Sequence, residues 1–471
     1  MIGVLRISDL HQQYRRQQER GARSDGSPDL IGRVAIATLG CRVNNHESNA
    51  IAQGFRDANW SVVDASEVAD VYVINSCTVT AEADRQSRQQ VRRLARHNPG
   101  AKIVITGCYA EMQPETCGEV SGVDLVVGNA NKFNIPALAT QLLEGRVSAG
   151  SVGSHLAEIM ERPTPLLYGY ETRTRASVQI QQGCDQACTF CVIHTARGLS
   201  QSFPLGDIVK QVRHWVASGY KEVVICGVDL GDYGTDLSPR PAPGPLEQLL
   251  AELASLEGDF RIRLSSIDPI HLSDALLELV AQSDRFCPYL HLSLQSGNAM
   301  ILKRMKRRYT RVWVDERVAM ARHLMPDLVL GADVMVGFPT ETQEHFSDTL
   351  QAIENLEISY PHVFPYSARG GTPAARIPRQ VDVATRKRRG ASARALGHRI
   401  RERVFARYIG SFSSVLVERS GGLDRYNGRL TNYLPVRVEV GERMVGQRLP
   451  VRIIGAKPDH LIGEPLTRGI L

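Results

Sequence analysis

The residues of this chain best suited to chemistry are three cysteines that lie close together. Cys184, Cys188 and Cys191 occupy the run CDQACTFC, which follows the alternating segment SVQIQ. Such alternation predicts a strand, so the cysteines lie on the loop after it. Thiolates with this spacing can bind three irons of a [4Fe-4S] cluster and leave the fourth iron without a protein ligand. An open iron is a place for a substrate or a cofactor.

Two other interpretations of the triplet compete with the cluster. His194 follows three residues after Cys191, so the four side chains also have a spacing that can hold zinc. A disulfide is less favoured, because the chain has an odd number of cysteines, nine, and a low cysteine density, and we see no secretory leader. We expect a reducing, cytoplasmic compartment.

Three further cysteines each come directly after a short apolar run. Cys41 follows VAIATLG, Cys77 follows VYVINS and Cys108 follows KIVITG, and each run predicts a strand. Open parallel sheets place their ligands at the carboxyl ends of strands, so we expect these thiols to meet and bind metal jointly. The alternative is that each is a small buried residue. We interpret the remaining cysteines as buried or incidental: Cys117, which could also approach the second site, Cys226 and Cys287.

The composition is that of a soluble globular protein large enough for several domains. The chain has 471 residues, of which 43% are hydrophobic and 23% are charged. Its longest apolar runs, of about five residues, are too short to cross a bilayer. The net charge of +6 favours a polyanionic partner, although an excess of arginine is also common on solvated surfaces.

The positions of the motifs depend on an α/β organisation in several regions. We predict a disordered tail at 1–30, a flavodoxin-like parallel sheet at 31–145 and a linker at 146–172. Residues 173–405 contain six predicted strands, which suit a partial (β/α)6 barrel with its site at the carboxyl ends. These strands are expected at 177–181, 222–226, 261–265, 289–294, 328–336 and 362–366. Residues 406–471 predict a small antiparallel β-barrel, whose basic charge favours RNA binding over a merely solvated surface.

The cysteine motifs together resemble those of a known enzyme family. The triplet in GCDQACTFC, followed by ARG at 196–198, resembles the cluster loop of radical S-adenosylmethionine enzymes. The motifs around the three strand-end cysteines resemble the cysteine set of the methylthiotransferase subgroup. These motifs are TLGCRVN, NSCTVT and TGCYA. The C-terminal barrel resembles the TRAM domain of that subgroup. The resemblance extends from about residue 33 to the end of the chain.

This resemblance implies two [4Fe-4S] clusters and S-adenosylmethionine as cofactors. The triplet would hold the cluster that cleaves S-adenosylmethionine to a 5′-deoxyadenosyl radical, which abstracts the hydrogen at C2 of an adenine. The strand-end cysteines would hold a second cluster that delivers sulfur. A second S-adenosylmethionine would supply the methyl group. The implied partners are tRNA, a sulfur donor and a low-potential electron donor, and we expect a monomer without membrane contact.

Within the subgroup, the best match is to tRNA enzymes that methylthiolate N6-threonylcarbamoyladenosine 37. This branch is favoured by three sequence segments, NPGAKIVITGCY, VDLVVGN and LKRMKRRYTR. Sister enzymes that act on isopentenyladenosine in tRNA, or on an aspartate of a ribosomal protein, share the clusters and remain alternatives. A non-catalytic zinc protein that binds RNA is a further alternative, but it would leave the three strand-end cysteines unexplained.

The resemblance also gives provisional roles to polar residues at the predicted strand ends. Asp229, in the run that begins at Gly227, would accept a hydrogen bond from the ammonium of S-adenosylmethionine. Further candidates for binding this cofactor are Gln295, Ser296, Gly297 and Asp333. The alternative interpretation is that these residues have a purely structural role at turns.

The densest basic run of the chain, at 303–311, is a candidate for contacts with tRNA phosphates. Its alternative is a solvated helix face. Four sites depart from the family: His194-Thr195 stands where Pro-Tyr is usual, Gln201 replaces an arginine, and Ser293 and Thr340 replace a proline and a glycine beside the pocket. These departures affect substrate positioning rather than any cluster ligand.

Overall fold

The computed structural model describes residues 30–146, 150–152, 167–168, 174–237, 244–422, 425–439 and 444–466. The predicted tail at 1–30 lies outside the described residues except for Leu30, and the predicted linker at 146–172 is described only in part, where residues 150–152 form an edge strand of the N-terminal sheet instead of a linker. Within them are a parallel N-terminal sheet, a central arc of strands and a closed C-terminal barrel. The predicted α/β fold class is confirmed.

The N-terminal sheet has six strands: β1 (Arg33–Thr38), β2 (Ser61–Val63), β3 (Val71–Ser76), β4 (Lys102–Gly107), β5 (Leu125–Val127) and β6 (Gly150–Val152). All pairs are parallel, in the order β2-β1-β3-β4-β5-β6. The valine- and isoleucine-rich strands suit burial on both faces, and β3 is buried throughout. The helices are α1 (Arg42–Asp57), α2 (Ala81–His97), α3 (Cys108–Met112), α4 (Pro114–Gly118) and α5 (Ile135–Leu143), with a 3₁₀ helix at Asn129–Asn134.

The central strands are β7 (Ala176–Gln179), β8 (Gln181–Gln182), β9 (Gln201–Ser202), β10 (Glu222–Cys226), β11 (Arg261–Leu264), β12 (Ser266–Ile267), β13 (Tyr289–Gln295), β14 (Val329–Val336) and β15 (Ile358–Pro365). Parallel pairing joins β7, β10 and β11, and joins β12, β13, β14 and β15, while β8 and β9 form a separate pair. Because β12 follows β11 after one residue, the two sheets form an arc of six strand positions. The predicted partial barrel is confirmed.

The helices of the arc are α6 (Ile193–Arg197), α7 (Leu205–Ala217), α8 (Pro245–Ala254), α9 (Asp274–Gln282), α10 (Ala299–Arg304), α11 (Arg311–Leu324), α12 (Gln343–Asn355) and α13 (Val383–Tyr408). Short 3₁₀ helices lie at Leu230–Asp232, Pro269–His271 and Pro373–Arg376. The sixth strand position begins at Ile358, four residues before the predicted start at 362. Ile358 pairs with Leu330, and Pro361 does not break the strand because β15 is an edge strand of its sheet.

The C-terminal barrel closes in the order β16-β17-β18-β20-β19, with β16 (Phe412–Gly422), β17 (Arg425–Leu430), β18 (Pro435–Glu439), β19 (Arg448–Ala456) and β20 (Leu461–Pro465). Alternate side chains fill its interior, among them Val415, Leu430, Val436 and Val451. The predicted antiparallel barrel is confirmed, with one parallel pair between β18 and β20.

One buried carboxylate connects this barrel to the arc. Glu222 accepts hydrogen bonds from the Nε atoms of Arg261 and Arg263, both at 2.6 Å. Arg261 also donates to the Arg429 carbonyl at 3.2 Å, and Arg263 donates to the Thr431 carbonyl at 3.0 Å. The barrel is therefore held at the amino-terminal ends of β10 and β11. Within the described residues, no helix is long and apolar enough to cross a membrane.

Candidate active site

The three strand-end cysteines of the N-terminal sheet meet at its carboxyl edge. Cys41 precedes α1, Cys77 follows β3 and Cys108 begins α3. Gly40 and Gly107, which precede the first and third of these cysteines, have φ angles of +98° and +92°. A Cβ on Gly40 would lie 2.9 Å from the Cys77 sulfur, and one on Gly107 would collide with the Ser76 backbone. Glycine therefore allows the loops to approach closely enough for the three thiols to share one site.

The triplet lies on the loop between β8 and α6. Gly183 has a φ of +70°, and a Cβ there would collide with the Leu199 carbonyl group. The loop is closed by a hydrogen bond of 3.1 Å from the Cys184 amide to the Gly198 carbonyl. A glycine with positive φ thus precedes Cys184, as it precedes two of the strand-end cysteines.

The geometry of the thiols disfavours a single zinc ion. Ligands around tetrahedral zinc, with Zn–S of about 2.3 Å, stand roughly 3.8 Å apart. Among the described residues, the only group of three metal-ligating side chains with ligand atoms within 4.8 Å of one another contains no cysteine. His194 is exposed on α6. Neither set of three cysteines therefore has all its sulfur atoms within 4.8 Å of one another, whereas a cluster distributes its ligands over separate irons.

The two groups of cysteines face each other across the interface between the N-terminal sheet and the arc. Burial is the largest cause that raises the pKa of Cys191, to about 11, and the Cys188 and Cys108 thiols raise it further. Burial likewise raises the pKa of Cys77 to about 12. The Cys191 and Cys77 thiols are therefore neutral at pH 7 in the absence of metal, and a bound iron would supply the positive charge that stabilises thiolates.

A buried ionic network fixes this interface. Glu47 on α1 accepts from Arg197 at 2.8 Å and forms an ion pair with Lys132 at 2.8 Å, and all three side chains are about 3% exposed. Arg197 also donates to the Asn44 side-chain oxygen at 2.6 Å. Because Arg197 lies at the end of α6, directly after the triplet, the network holds the triplet loop against the strand-end cysteines.

A second ion pair supports the same interface. Arg369 follows β15 and binds Asp84 of α2 at 2.7 Å and the Thr78 hydroxyl at 2.5 Å. Thr78 comes directly after Cys77, so this contact fixes one strand-end loop against the arc.

The structure brings Asp229 to the triplet. Its Oδ2 lies 4.0 Å from the Cys184 sulfur, and the Gln181 side-chain oxygen accepts from its backbone amide at 2.9 Å. Burial raises the pKa of Asp229, but the hydrogen bond from His271 and the charge of Arg308 outweigh burial and hold the pKa below its usual range. Asp229 is therefore an ionised acceptor beside Cys184, as its predicted contact with an ammonium group requires.

The other predicted cofactor contacts lie in two different environments. A Cβ on Gly227 would lie 3.1 Å from the Gln181 side-chain oxygen, so Gly227 allows the loop to approach the triplet. Ser296 and Gly297 pack against α12, where the Gly297 amide donates to Thr349 at 3.1 Å. Gln295 has a φ of +59° and a buried side-chain oxygen that lacks a partner among the described residues. Their roles in cofactor binding stay predictions.

Asp333 lies further down the arc, in the middle of β14. His362 contacts its Oδ1 at 2.8 Å, and the His291 Nε2 is 3.4 Å away. The described contacts of Asp333 are thus with two histidines and not with the cysteine loops. Its role as a cofactor contact also stays a prediction.

Two arginines of the basic run contact acidic residues near the triplet. Arg307 donates to the Cys188 sulfur at 3.2 Å and forms a buried ion pair with Asp268 at 2.5 Å. Arg308 lies 3.2 Å from Asp229 and 3.6 Å from Asp232. These two members of the run therefore do not lie on a solvated helix face, and the contact of the run with tRNA phosphates stays a prediction. Between Arg304 and Thr310 the chain turns back towards the triplet loop.

Several functional residues were missed by sequence reasoning. Asp232 and His271 surround Asp229, with His271 Nε2 at 3.3 Å from Asp229 and 3.5 Å from Asp232. Asp232 was detectable as a second acid three residues after Asp229 in GVDLGDYG. Nothing in the local sequence distinguished Glu47 or Lys132 from ordinary surface charges.

Family models match two parts of the chain. Residues 33–128 match the model described as Uncharacterized protein family UPF0004, and residues 178–353 match the Radical SAM superfamily. These ranges contain the strand-end cysteines and the triplet, respectively. Membership of the radical S-adenosylmethionine superfamily brings a [4Fe-4S] cluster and S-adenosylmethionine as cofactors.

Named relatives match nearly the whole chain. The threonylcarbamoyladenosine tRNA methylthiotransferase MtaB of Rickettsia prowazekii is 38% identical, over 91% of this chain and 96% of that protein. The protein of the same name from Bacillus subtilis is 38% identical, over 93% of this chain and 95% of that protein. The tRNA-2-methylthio-N(6)-dimethylallyladenosine synthase of Fusobacterium nucleatum is 31% identical, over 92% of this chain and 99% of that protein.

A solved structure shares the fold. The radical S-adenosylmethionine methyltransferase TsrM of Kitasatospora setae superposes with a TM-score of 0.54 at 15% identity, over 73% of this chain and 77% of that one. This likeness concerns the fold alone. From the near-complete coverage of the named relatives, the paired cysteine sets and the two matching family models, the chain belongs to the radical S-adenosylmethionine methylthiotransferase family.

Proposed function

We propose that this protein inserts a methylthio group at C2 of N6-threonylcarbamoyladenosine 37 in tRNA. The observation that carries the proposal is the meeting of two cysteine sets from different parts of the fold, one of which lies beside Asp229. Relatives named for this activity are 38% identical to the chain over nearly its full length.

The proposal assigns a cluster to each set of cysteines. Cys184, Cys188 and Cys191 bind the first [4Fe-4S] cluster, and the three strand-end cysteines bind the second. When bound, these clusters supply the electron that cleaves S-adenosylmethionine and an iron that carries the sulfur to be transferred. Both assignments are supported by free thiols in two sets, neither of which has all its sulfurs within 4.8 Å of one another.

The chain's own residues orient the reactants. Asp229 accepts from the ammonium of S-adenosylmethionine, while His271 and Arg308 keep this carboxylate ionised. Arg307 donates a hydrogen bond to the Cys188 sulfur from a buried position. The network around Glu47 keeps the two cysteine sets at a constant separation.

The proposal divides the chain into functional regions and requires further partners. Residues 31–145 hold the second cluster, 173–405 form the catalytic core and 406–471 contact RNA. The matched ranges 33–128 and 178–353 lie inside the first two regions. A sulfur donor and a low-potential electron donor are required, and we propose that the protein acts as a monomer in the cytoplasm.

Metal analysis tests the cluster assignment. The anaerobically purified protein should contain about eight irons and eight sulfides, which is the content of two [4Fe-4S] clusters. Cys184→Ala and Cys41→Ala should each lose half of this content. Cys117→Ala is the matched control and should lose none, because Cys117 is buried in the core of the N-terminal sheet. Zinc without iron, unaffected by Cys41→Ala, would refute the cluster assignment.

Nucleoside analysis tests the substrate. Expression in a host that lacks its own methylthiotransferases should convert N6-threonylcarbamoyladenosine of tRNA to its 2-methylthio derivative, and Cys184→Ala should abolish the product. A methylthio group on isopentenyladenosine, or on a ribosomal protein aspartate, would overturn the choice of substrate and leave the cluster assignment intact.

A further inference from the structure

A cationic cleft lies at the junction of the arc with neighbouring parts of the fold. Its volume is about 350 Å³, and it lies between β15, α13, the start of α1 and the C-terminal barrel. Three arginines (Arg42, Arg394, Arg401) and three tyrosines (Tyr289, Tyr360, Tyr433) line it. Four separate parts of the fold thus contribute to a single concave surface.

The positive charge of this cleft is uncompensated. No carboxylate lines it, and none of its arginines forms an ion pair with a described carboxylate. Arg394 donates to the Val363 carbonyl at 3.3 Å, and Arg401 contacts His398 at 2.7 Å. The Nη1 of Arg42 is buried and has no hydrogen-bond partner among the described residues. Since an unpaired buried donor is costly, an anion in the cleft would be stabilised.

Two histidines of the arc also bear on the positive charge of the cleft. His291 and His362 line the cleft and share Asp333, which accepts from His362 at 2.8 Å. The hydrogen bond to Asp333 raises the pKa of His362. Asp333 therefore neutralises a histidine at most, and the three arginines keep their charge.

The cleft and the triplet are linked through β13. Residues two apart on a strand point to the same side and are separated by about 6.6 Å, so His291 and Ser293 face the same side of the arc. The Ser293 carbonyl accepts from Arg307 at 3.2 Å, and Arg307 contacts the Cys188 sulfur at 3.2 Å. His291, which lines the cleft, is thus two residues along β13 from the carbonyl that binds the arginine in contact with the triplet.

We propose that this cleft binds the carboxylate of the threonylcarbamoyl group and so selects the substrate nucleoside. The inference rests on the proposed function and names the group that determines its specificity. Threonine is attached to N6 of adenine through a carbonyl group, so its carboxylate is four bonds from N6, a reach of about 5 Å with peptide-like bonds. An isopentenyl group carries no charge and would leave the arginines unpaired, which disfavours it.

The test is a comparison of RNA affinities for the protein with both clusters in place. Anticodon stem-loops would carry N6-threonylcarbamoyladenosine, isopentenyladenosine or plain adenosine at position 37, and dissociation constants would be measured by fluorescence anisotropy. The wild type should bind the threonylcarbamoyl RNA about tenfold to a hundredfold more tightly than the other two, as expected for charge-assisted hydrogen bonds. Arg394→Gln and Arg401→Gln should remove this preference and keep the affinity for plain RNA.

Matched variants separate specificity from folding and from general RNA binding. Arg399→Gln, on an exposed position of the same helix, should behave as the wild type, and Arg401→Lys should restore part of the preference. Equal weakening of all three RNAs by Arg394→Gln would show a contact with the RNA backbone and overturn the inference. Absence of any preference in the wild type would also overturn it. Methylthiolation of isopentenyladenosine RNA instead would show that the proposed function has failed.

Discussion

Removal of the buried carboxylate at Glu47 should loosen the contact between the two cysteine sets. Glu47 is 3% exposed and forms ion pairs with Arg197 and Lys132, each at 2.8 Å. Burial alone would raise its pKa, but these two cations lower it from 4.5 to about 2. A pKa change of this size corresponds to about 3 kcal/mol in favour of the folded, charged state. Glu47→Gln would leave two buried cations together, a loss of about 3–5 kcal/mol.

Hydrogen exchange can localise this effect. A loss of about 3 kcal/mol in the free energy of local opening corresponds to roughly a hundredfold faster amide exchange. The increase should appear in α1 and α6, at the interface, and should be absent from the C-terminal barrel. The variant Glu354→Gln is the control, because its ion pair with Arg403 is about half exposed and contributes at most about 1 kcal/mol.

A charge-restoring variant and a pH series complete the experiment. Glu47→Gln with Lys132→Met returns the network to its original net charge and should recover part of the protection. Because the folded-state pKa of Glu47 is depressed, its stabilisation is present above about pH 4.5 and is lost as the pH falls towards about 2. Exchange that changes less than about threefold in Glu47→Gln, or that is no slower in the double variant, would refute the argument.

Three further changes test other parts of the site and the fold. Gly183→Ala should lower iron content by up to half, because the new Cβ collides with the Leu199 carbonyl group and displaces the triplet loop; full iron content would contradict this. Arg307→Gln should lower the midpoint potential of the cluster on Cys188, since a buried positive donor near a cluster sulfur favours the reduced state. The midpoint would be measured by a redox titration followed by electron paramagnetic resonance, and an unchanged midpoint would contradict this role of Arg307. Glu222→Gln should cost about 3–5 kcal/mol and lower the melting temperature, because two buried arginines lose their counter-charge; an unaltered melting curve would refute it.

The sequence alone supported the main organisation because its signals are local. Continuous apolar runs, alternating apolar and polar residues, and segments with helical periodicity predicted the parallel sheet, the six-strand arc and the terminal barrel. Cys184, Cys188 and Cys191 are neighbours in sequence, so their common site follows from loop geometry. The strand-end cysteines could be grouped because parallel strands bring their carboxyl ends to one edge.

The boundary of β15 shows where local signals mislead. Pro361 interrupts the pattern expected of a strand, yet Ile358 pairs with Leu330 and the strand continues through the proline. Only the position of β15 at the edge of its sheet makes this permissible. The true start of the strand therefore could not be predicted from the sequence alone.

The identity and spacing of the cysteines were determined by the sequence itself, and so was the family they indicate. Which charged residues serve them was decided by the tertiary structure. Arg307 and Arg308 read as part of a surface run, but packing of the arc turns them towards Cys188 and Asp229. The partnership of Glu47 with Arg197 joins residues 150 positions apart. Such pairs carry no local pattern, because their free energy depends on burial and counter-charges that exist only after the domains have packed together.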